Sequence, residues 1–133
     1  LDTNVVIFAL RGTGNQQACR TLLFERLPEL KVYLPLQVML ELDRNLTRRE
    51  MQLLWRVFRG MPDLVVDYQR AASERIRYWQ QQGAKKGDAV IVAQLEARDI
   101  RLLISENRHF LAEVAGLPFD VLSSSAVLTL LDQ

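Results

Sequence analysis

Cysteine is nearly absent from this 133-residue chain. Cys19 stands alone, so no disulfide can form within the chain, and a reducing, cytoplasmic setting is expected. Histidine is equally scarce: His109 is the single imidazole, and a zinc site normally draws on several Cys or His ligands. No apolar stretch approaches the ~18 residues that suggest a membrane span. The opening residues lack the basic segment and apolar core of a secretory signal. Glycine (6) and proline (4) are too few for a linker, and no segment repeats, so a single domain over residues 1–133 is expected. An excess of one charge is missing too: 17 Lys and Arg against 16 Asp and Glu leave +1, so any basic surface must be local.

Several chemical motifs are also lacking. There is no GxxxxGK[ST] phosphate loop, and RGTG at 11–14 does not complete a dinucleotide fingerprint. No GxSxG elbow supports a serine hydrolase.

What is present is an alternation of short β-branched runs with longer helical patterns. Strands are predicted over 31–34, 63–67, 100–104 and 119–122. Helices are predicted over 16–27, over 35–46 with Pro35 at its first position, and from the capping box TRRE (47–50) to Gly60. Further helices are expected over 68–82 (stopping at Gly83), 88–98, near 107–115 and over 124–131. Such alternation predicts an α/β fold, a parallel sheet covered by helices on both faces, with chemistry at the carboxyl ends of its strands. Because the first residue is Leu rather than Met, Asp2 is read as lying at the end of a strand that begins upstream.

Three acids stand out. Asp2, with Thr3 and Asn4, directly precedes the apolar run from Val5 to Leu10; the group suits a turn, a helix cap or a ligand. Glu41 shares helical spacing with Gln37, Arg44, Asn45 and Arg48, a polar stripe opposite Met39, Leu42 and Leu46. Such a stripe is ordinarily a solvated face. Asp88 falls over the apolar face carrying Ile91, Val92 and Leu95, where a carboxylate needs a partner; it reads as an N-cap or as a ligand. After strand 100–104 come Ser105, Glu106 and Asn107, a helix cap or polar groups at the sheet edge. Oxygen donors without clustered Cys or His suit Mg²⁺ or Mn²⁺, and such sites act on phosphate esters.

Four stretches, LDTNVV, LPLQVMLEL, KKGDAVIVAQ and LLISENRHF, together resemble the landmarks of PIN domains, in the family's order and across nearly the whole chain. These are small metal-dependent ribonucleases that include the toxins of many toxin–antitoxin pairs. The resemblance implies a parallel sheet of four to five strands flanked by helices. It implies Asp2, Glu41 and Asp88 as ligands of Mg²⁺ or Mn²⁺, and Asn107 as a fourth catalytic-site residue. Asn4 and Ser105 are implied as supporting groups. Asn107 is neutral where the family often has an acid. The reaction implied is hydrolysis of RNA phosphodiesters, and an antitoxin protein or a second copy of the chain is an implied partner. The alternative is a catalytically degenerate PIN-like domain that binds RNA or a protein partner without cutting. Contacts to RNA are expected from Arg44, Arg48, Lys85 and Lys86, within or near the basic segments 44–59 and 85–86. Trp55, Phe58, Tyr78 and Trp79 are expected to pack rather than stack on bases.

Overall fold

The apolar run Val32–Leu34 forms a strand, β1, and Leu64–Val66 pairs with it in parallel as β2, Val32 opposite Leu64 and Leu34 opposite Val66. A second parallel pair joins β3 (Leu102–Ile104) to β4 (Asp120–Leu122). This computed structural model describes residues 1–12, 16–107 and 113–133. His109, part of the RGTG stretch and most of the helix expected near 107–115 lie outside the described residues. Mixed α/β architecture is present, but the expected sheet of four to five strands is not: among the described residues there are two separate two-stranded pairs. The physical reason is that β1 and β3 do not meet. Between them lies a cavity of about 290 Å³, lined among others by Leu1, Val32, Tyr33, Leu102 and Ile104.

Helices supply most of the core. They are α1 (Thr3–Arg11), α2 (Gln17–Thr21), α3 (Leu36–Asn45), α4 (Arg48–Arg59), α5 (Ser73–Gln81), α6 (Lys86–Ala97) and α7 (Ser124–Leu131). The predicted helix 16–27 is regular only through Thr21; a π turn over Leu22–Arg26 and a 3₁₀ turn over Leu27–Glu29 follow. The helix expected over 68–82 starts later, at Ser73. α6 is the central helix, with Ala89, Ile91, Val92, Ala93 and Leu95 all buried, and it packs against α3 and α5. Gln94 is the polar exception on it. Its amide oxygen accepts the Gln37 N–H at 3.1 Å and its amide nitrogen donates to Gln69 O at 3.3 Å. Pro35 is the N-cap of α3 rather than its first residue and gives no side-chain cap, so Gln94 satisfies one of that helix's orphan donors from across the core.

Thr47 begins α4 with the capping box read from TRRE: Glu50 N–H donates to Thr47 Oγ1 at 3.2 Å, and Thr47 N–H donates to Glu50 at 2.9 Å. Gly60 ends the helix with an ordinary φ of −83°. Thr47→Ala is expected to lower stability by about 1 kcal/mol, a melting shift of ~3 °C by circular dichroism. An unchanged midpoint would show that the box adds nothing. Among the aromatics, Phe58 and Trp79 are buried, and edge-on pairs link Trp55 to Phe58 and Tyr78 to Trp79. Phe58 and Trp79 pack in the core, while Trp55 and Tyr78 remain partly exposed at the surface.

Candidate functional site

Asp2 is both a helix cap and a buried carboxylate. Its backbone is extended, with φ −78° and ψ 156°, and its Oδ1 accepts the Thr3 N–H at 2.8 Å at the start of α1. Oδ2 accepts the Ser105 hydroxyl at 2.7 Å, and the Asp2 N–H donates to Ile104 O at 2.8 Å. The residue is only 5% exposed, yet it has no Lys or Arg ion-pair partner among the described residues. A buried carboxylate left without a cation is costly unless hydrogen bonds or a bound ion compensate.

Ser105 organises the end of β3. Besides donating to Asp2, its Oγ accepts the Asn107 N–H at 3.1 Å and the Asn4 side-chain amide at 3.4 Å. Asn4 Oδ1 in turn accepts the Glu106 N–H at 3.1 Å. Asn4 therefore reaches Asp2 through Ser105. The Glu106 carboxylate serves another purpose: it accepts the Ser124 N–H at 2.8 Å and the Cys19 thiol at 3.6 Å, tying α7 and α2 to the strand end. Burial is the main cause pushing the Cys19 thiol above its ordinary pKa.

Glu41 lies on α3, half-buried. Its Oε2 accepts the Thr3 hydroxyl at 2.5 Å, and Oε1 accepts the Gln37 amide at 3.3 Å. Thr3, which bonds Glu41, directly follows Asp2 in the chain. The head of α6 comes just as near. A Cβ placed on Gly87 would stand 3.3 Å from Glu41 Oε1, so the absent side chain allows the backbone beside Asp88 to approach Glu41. Sequence reasoning grouped Thr3 with Asp2 without foreseeing its bond to Glu41, and it passed over Gly87. The tripeptide Asp-Thr-Asn and the Gly-Asp pair were their only traces.

Asp88 is not the cap of α6. Lys85 occupies that position without a side-chain cap bond, and Asp88 is the third helical residue. Burial first, then the negative charges of Asp2 and Glu41, raise the Asp88 carboxyl to about 6, with Lys85 opposing. Asp88 on α6 thus feels both Asp2, the N-cap of α1, and Glu41 on α3. Asp88 and Asn107 also line one small cavity together with Lys85 and Glu113. Glu113 carried no sequence pattern. Gly83 permits this approach: with φ +108°, it passes so close that an added Cβ would stand 2.4 Å from Glu113 O.

The basic residues divide. Arg44 and Lys86 line a wide groove of about 620 Å³ with Thr3, Gln37 and Glu41. Arg48 does not continue the Glu41 stripe. Leu46 turns extended at ψ 143°, Thr47 caps a new helix, and Arg48 opens α4. Lys85 and Lys86 stand at the positive end of α6, where cations are unfavourable unless an anion is held nearby.

Among the described residues, no three Asp, Glu, His or Cys side chains stand close enough to enclose an ion. The donor set nevertheless suits a hard divalent cation in kind: oxygen ligands, mutual repulsion felt at Asp88, and no ion pair to Lys or Arg neutralising Asp2, Glu41 or Asp88 among the described residues. The chemistry fits, while the side-chain positions do not form a closed cage. Comparison with protein-family models, with curated proteins and with solved structures finds no match to the chain.

Proposed function

We propose that this chain is a Mg²⁺- or Mn²⁺-dependent ribonuclease that hydrolyses RNA phosphodiester bonds. The observation that carries the reading is a convergence of distant segments: Asp2 caps α1, the next residue Thr3 bonds Glu41, and Gly87 beside Asp88 lets the head of α6 approach Glu41 Oε1. Burial and the charges of Asp2 and Glu41 raise the Asp88 carboxyl accordingly. Asp2, Glu41 and Asp88 are the groups that would hold the cation. When bound, such an ion activates water and neutralises charge on phosphoryl oxygens. Ser105 holds Asp2 in place through its hydroxyl, Asn4 steadies Ser105, and Thr3 and Gln37 orient the two Glu41 oxygens. Outer hydrogen bonds of this type keep ligand carboxylates aimed. Asn107 lines the same small cavity as Asp88.

The groove beside Glu41 is the proposed path of the phosphate backbone, with Arg44 and Lys86 as its cations. Lys86→Ala is expected to raise KM for a single-stranded RNA ~3–10-fold at low salt. It should also flatten the plot of log affinity against log salt by ~0.7, the slope of one lost phosphate contact. An unchanged salt slope would remove Lys86 from the path. Arg48→Ala, away from this groove, is the control.

A second reading is favoured by Asn107: an amide where an acid would strengthen metal binding suits a degenerate PIN-like domain that holds RNA without cutting it. Cleavage of a mixed RNA pool in Mn²⁺, its loss in EDTA and its loss in Asp2→Ala decide for the enzyme. RNA binding that persists with no cleavage under any metal decides for the alternative. A toxin role, with an antitoxin partner, rests on the PIN resemblance. Among the described residues no helix is long and apolar enough to cross a membrane.

A further inference from the structure

Gln94 is the one polar residue among the buried positions of α6, 4% exposed and flanked by Ala93 and Leu95. An apolar side chain there would carry no hydrogen-bonding obligation, whereas a buried amide is costly unless both its ends are bonded. Both ends are bonded, to segments far apart in the chain. Oε1 accepts the Gln37 N–H at 3.1 Å in the first turn of α3, and Nε2 donates to Gln69 O at 3.3 Å beyond β2. Gln69 is itself held. Its N–H donates to Asp67 Oδ1 at 2.9 Å, and its side-chain oxygen accepts Arg98. Asp67 Oδ2 accepts Arg98 Nε at 2.7 Å and the Tyr33 hydroxyl, and the Asp67 N–H donates to Leu34 O at 2.9 Å. The donor end of Gln94 thus rests on a braced anchor at the β1–β2 pair.

The acceptor end leads to the candidate site. Gln37, whose N–H is bound by Gln94, gives its own side-chain amide to Glu41 Oε1 at 3.3 Å, one helical turn on. Gln94 also rides on the helix that carries Asp88. One side chain therefore ties the Asp88 helix to the first turn of the Glu41 helix, and Pro35 offers that turn no side-chain cap. A Ser or Asp at the N-cap would satisfy such a donor locally, without a polar group in the core and without any link to α6. We propose that Gln94 is a positioning residue of the metal site: through Gln37 it fixes α3 against α6, and so the Glu41 carboxylate relative to Asp88. This inference rests on the reading of Glu41 and Asp88 as ligands of a divalent cation. Removing a support set behind a metal ligand typically weakens metal binding ~10–100-fold.

The test is calorimetric titration of the RNA-free protein with Mn²⁺, with RNA cleavage as a second readout. Gln94→Met keeps the length and removes both hydrogen bonds. It is expected to weaken Mn²⁺ binding by ~10-fold or more and to raise the Mn²⁺ needed for half-maximal cleavage as much. KM for RNA at saturating Mn²⁺ should stay within ~2-fold. Gln94→Asn keeps an amide but is too short to span Gln37 and Gln69 together, and it should show the same loss. Val92→Ala, on the same helix and fully buried, lowers stability without touching this path and should bind Mn²⁺ as the parent does. In a Glu41→Gln background, Gln94→Met should cost less than ~2-fold more, because the carboxylate it positions is gone. Parent-like Mn²⁺ affinity in both Gln94 variants would overturn the inference and leave the metal-site reading standing. So would an equal loss in Val92→Ala, or a full further loss in the Glu41→Gln background. A parent that binds neither Mn²⁺ nor Mg²⁺ would overturn both.

Discussion

RNA cleavage in Mn²⁺ or Mg²⁺ is expected to fall by ~10²–10³-fold in Asp88→Asn and in Asp2→Asn, and to stop in EDTA. The size follows from where the charges sit. Neither carboxylate has an ion-pair partner among the described residues, so their negative charge is available to a divalent cation rather than spent on Lys or Arg. Replacing one carboxylate by an amide keeps the shape and removes the charge. Ser105→Ala tests the next layer: Asp2 Oδ2 loses its donor at 2.7 Å, and a loss of ~10–100-fold is expected, as for other groups that aim a ligand. The rates should be read at saturating metal and at low metal. A ligand loss is partly rescued by excess Mn²⁺, whereas a folding defect is not. Undiminished cleavage in both acid variants would end the nuclease proposal. Release of phosphate from a generic aryl ester, with RNA left intact, would redirect it to a phosphatase.

The sequence made some of this legible and some not, and the difference is one of range. TRRE announces a reciprocal cap because all its hydrogen bonds lie within three residues, and they are formed as written. The strand positions at Val32, Leu64, Leu102 and Asp120 follow from short apolar runs. Pairing is different: whether β1 and β3 join one sheet depends on what lies between them, which no local pattern encodes. Arg48 shows the same limit in a helix. Its spacing from Glu41 is helical, but Leu46 and Thr47 break the backbone before the stripe reaches it. Asp88 was readable as a carboxylate out of place over an apolar face, yet its neighbours were not. The charges of Asp2, at the cap of α1, and of Glu41, on α3, come from segments distant along the chain. Likewise Thr3 looks like any turn-forming hydroxyl until its contact with Glu41 is seen.

In EDTA at pH 7.5, Asp88→Asn should unfold at a higher temperature than the parent, the reverse of what a structural carboxylate would give. The Asp88 carboxyl is raised to about 6, above its value of ~3.9 in an unfolded chain, so the folded state holds that proton more tightly. The contribution of this group is therefore most favourable below pH ~4 and is lost as pH rises through about 6. Above that range the folded chain carries a charge crowded by Asp2 and Glu41. Allowing for the partial exposure of the side chain, removing that charge should stabilise the metal-free protein by on the order of 1–2 kcal/mol, a shift of ~3–6 °C. Near pH 4 the gap should close, because the parent is then largely protonated there. Mn²⁺ should reverse the order at pH 7.5: at a concentration of 100 times Kd it stabilises the parent by ~2.7 kcal/mol, while the variant responds weakly. Melting curves of both proteins at the two pH values, with and without Mn²⁺, separate the possibilities. A variant less stable than the parent in EDTA at pH 7.5 would show that Asp88 is not under repulsion. An equal Mn²⁺ response in both would show that the ion, if it binds, does so without Asp88.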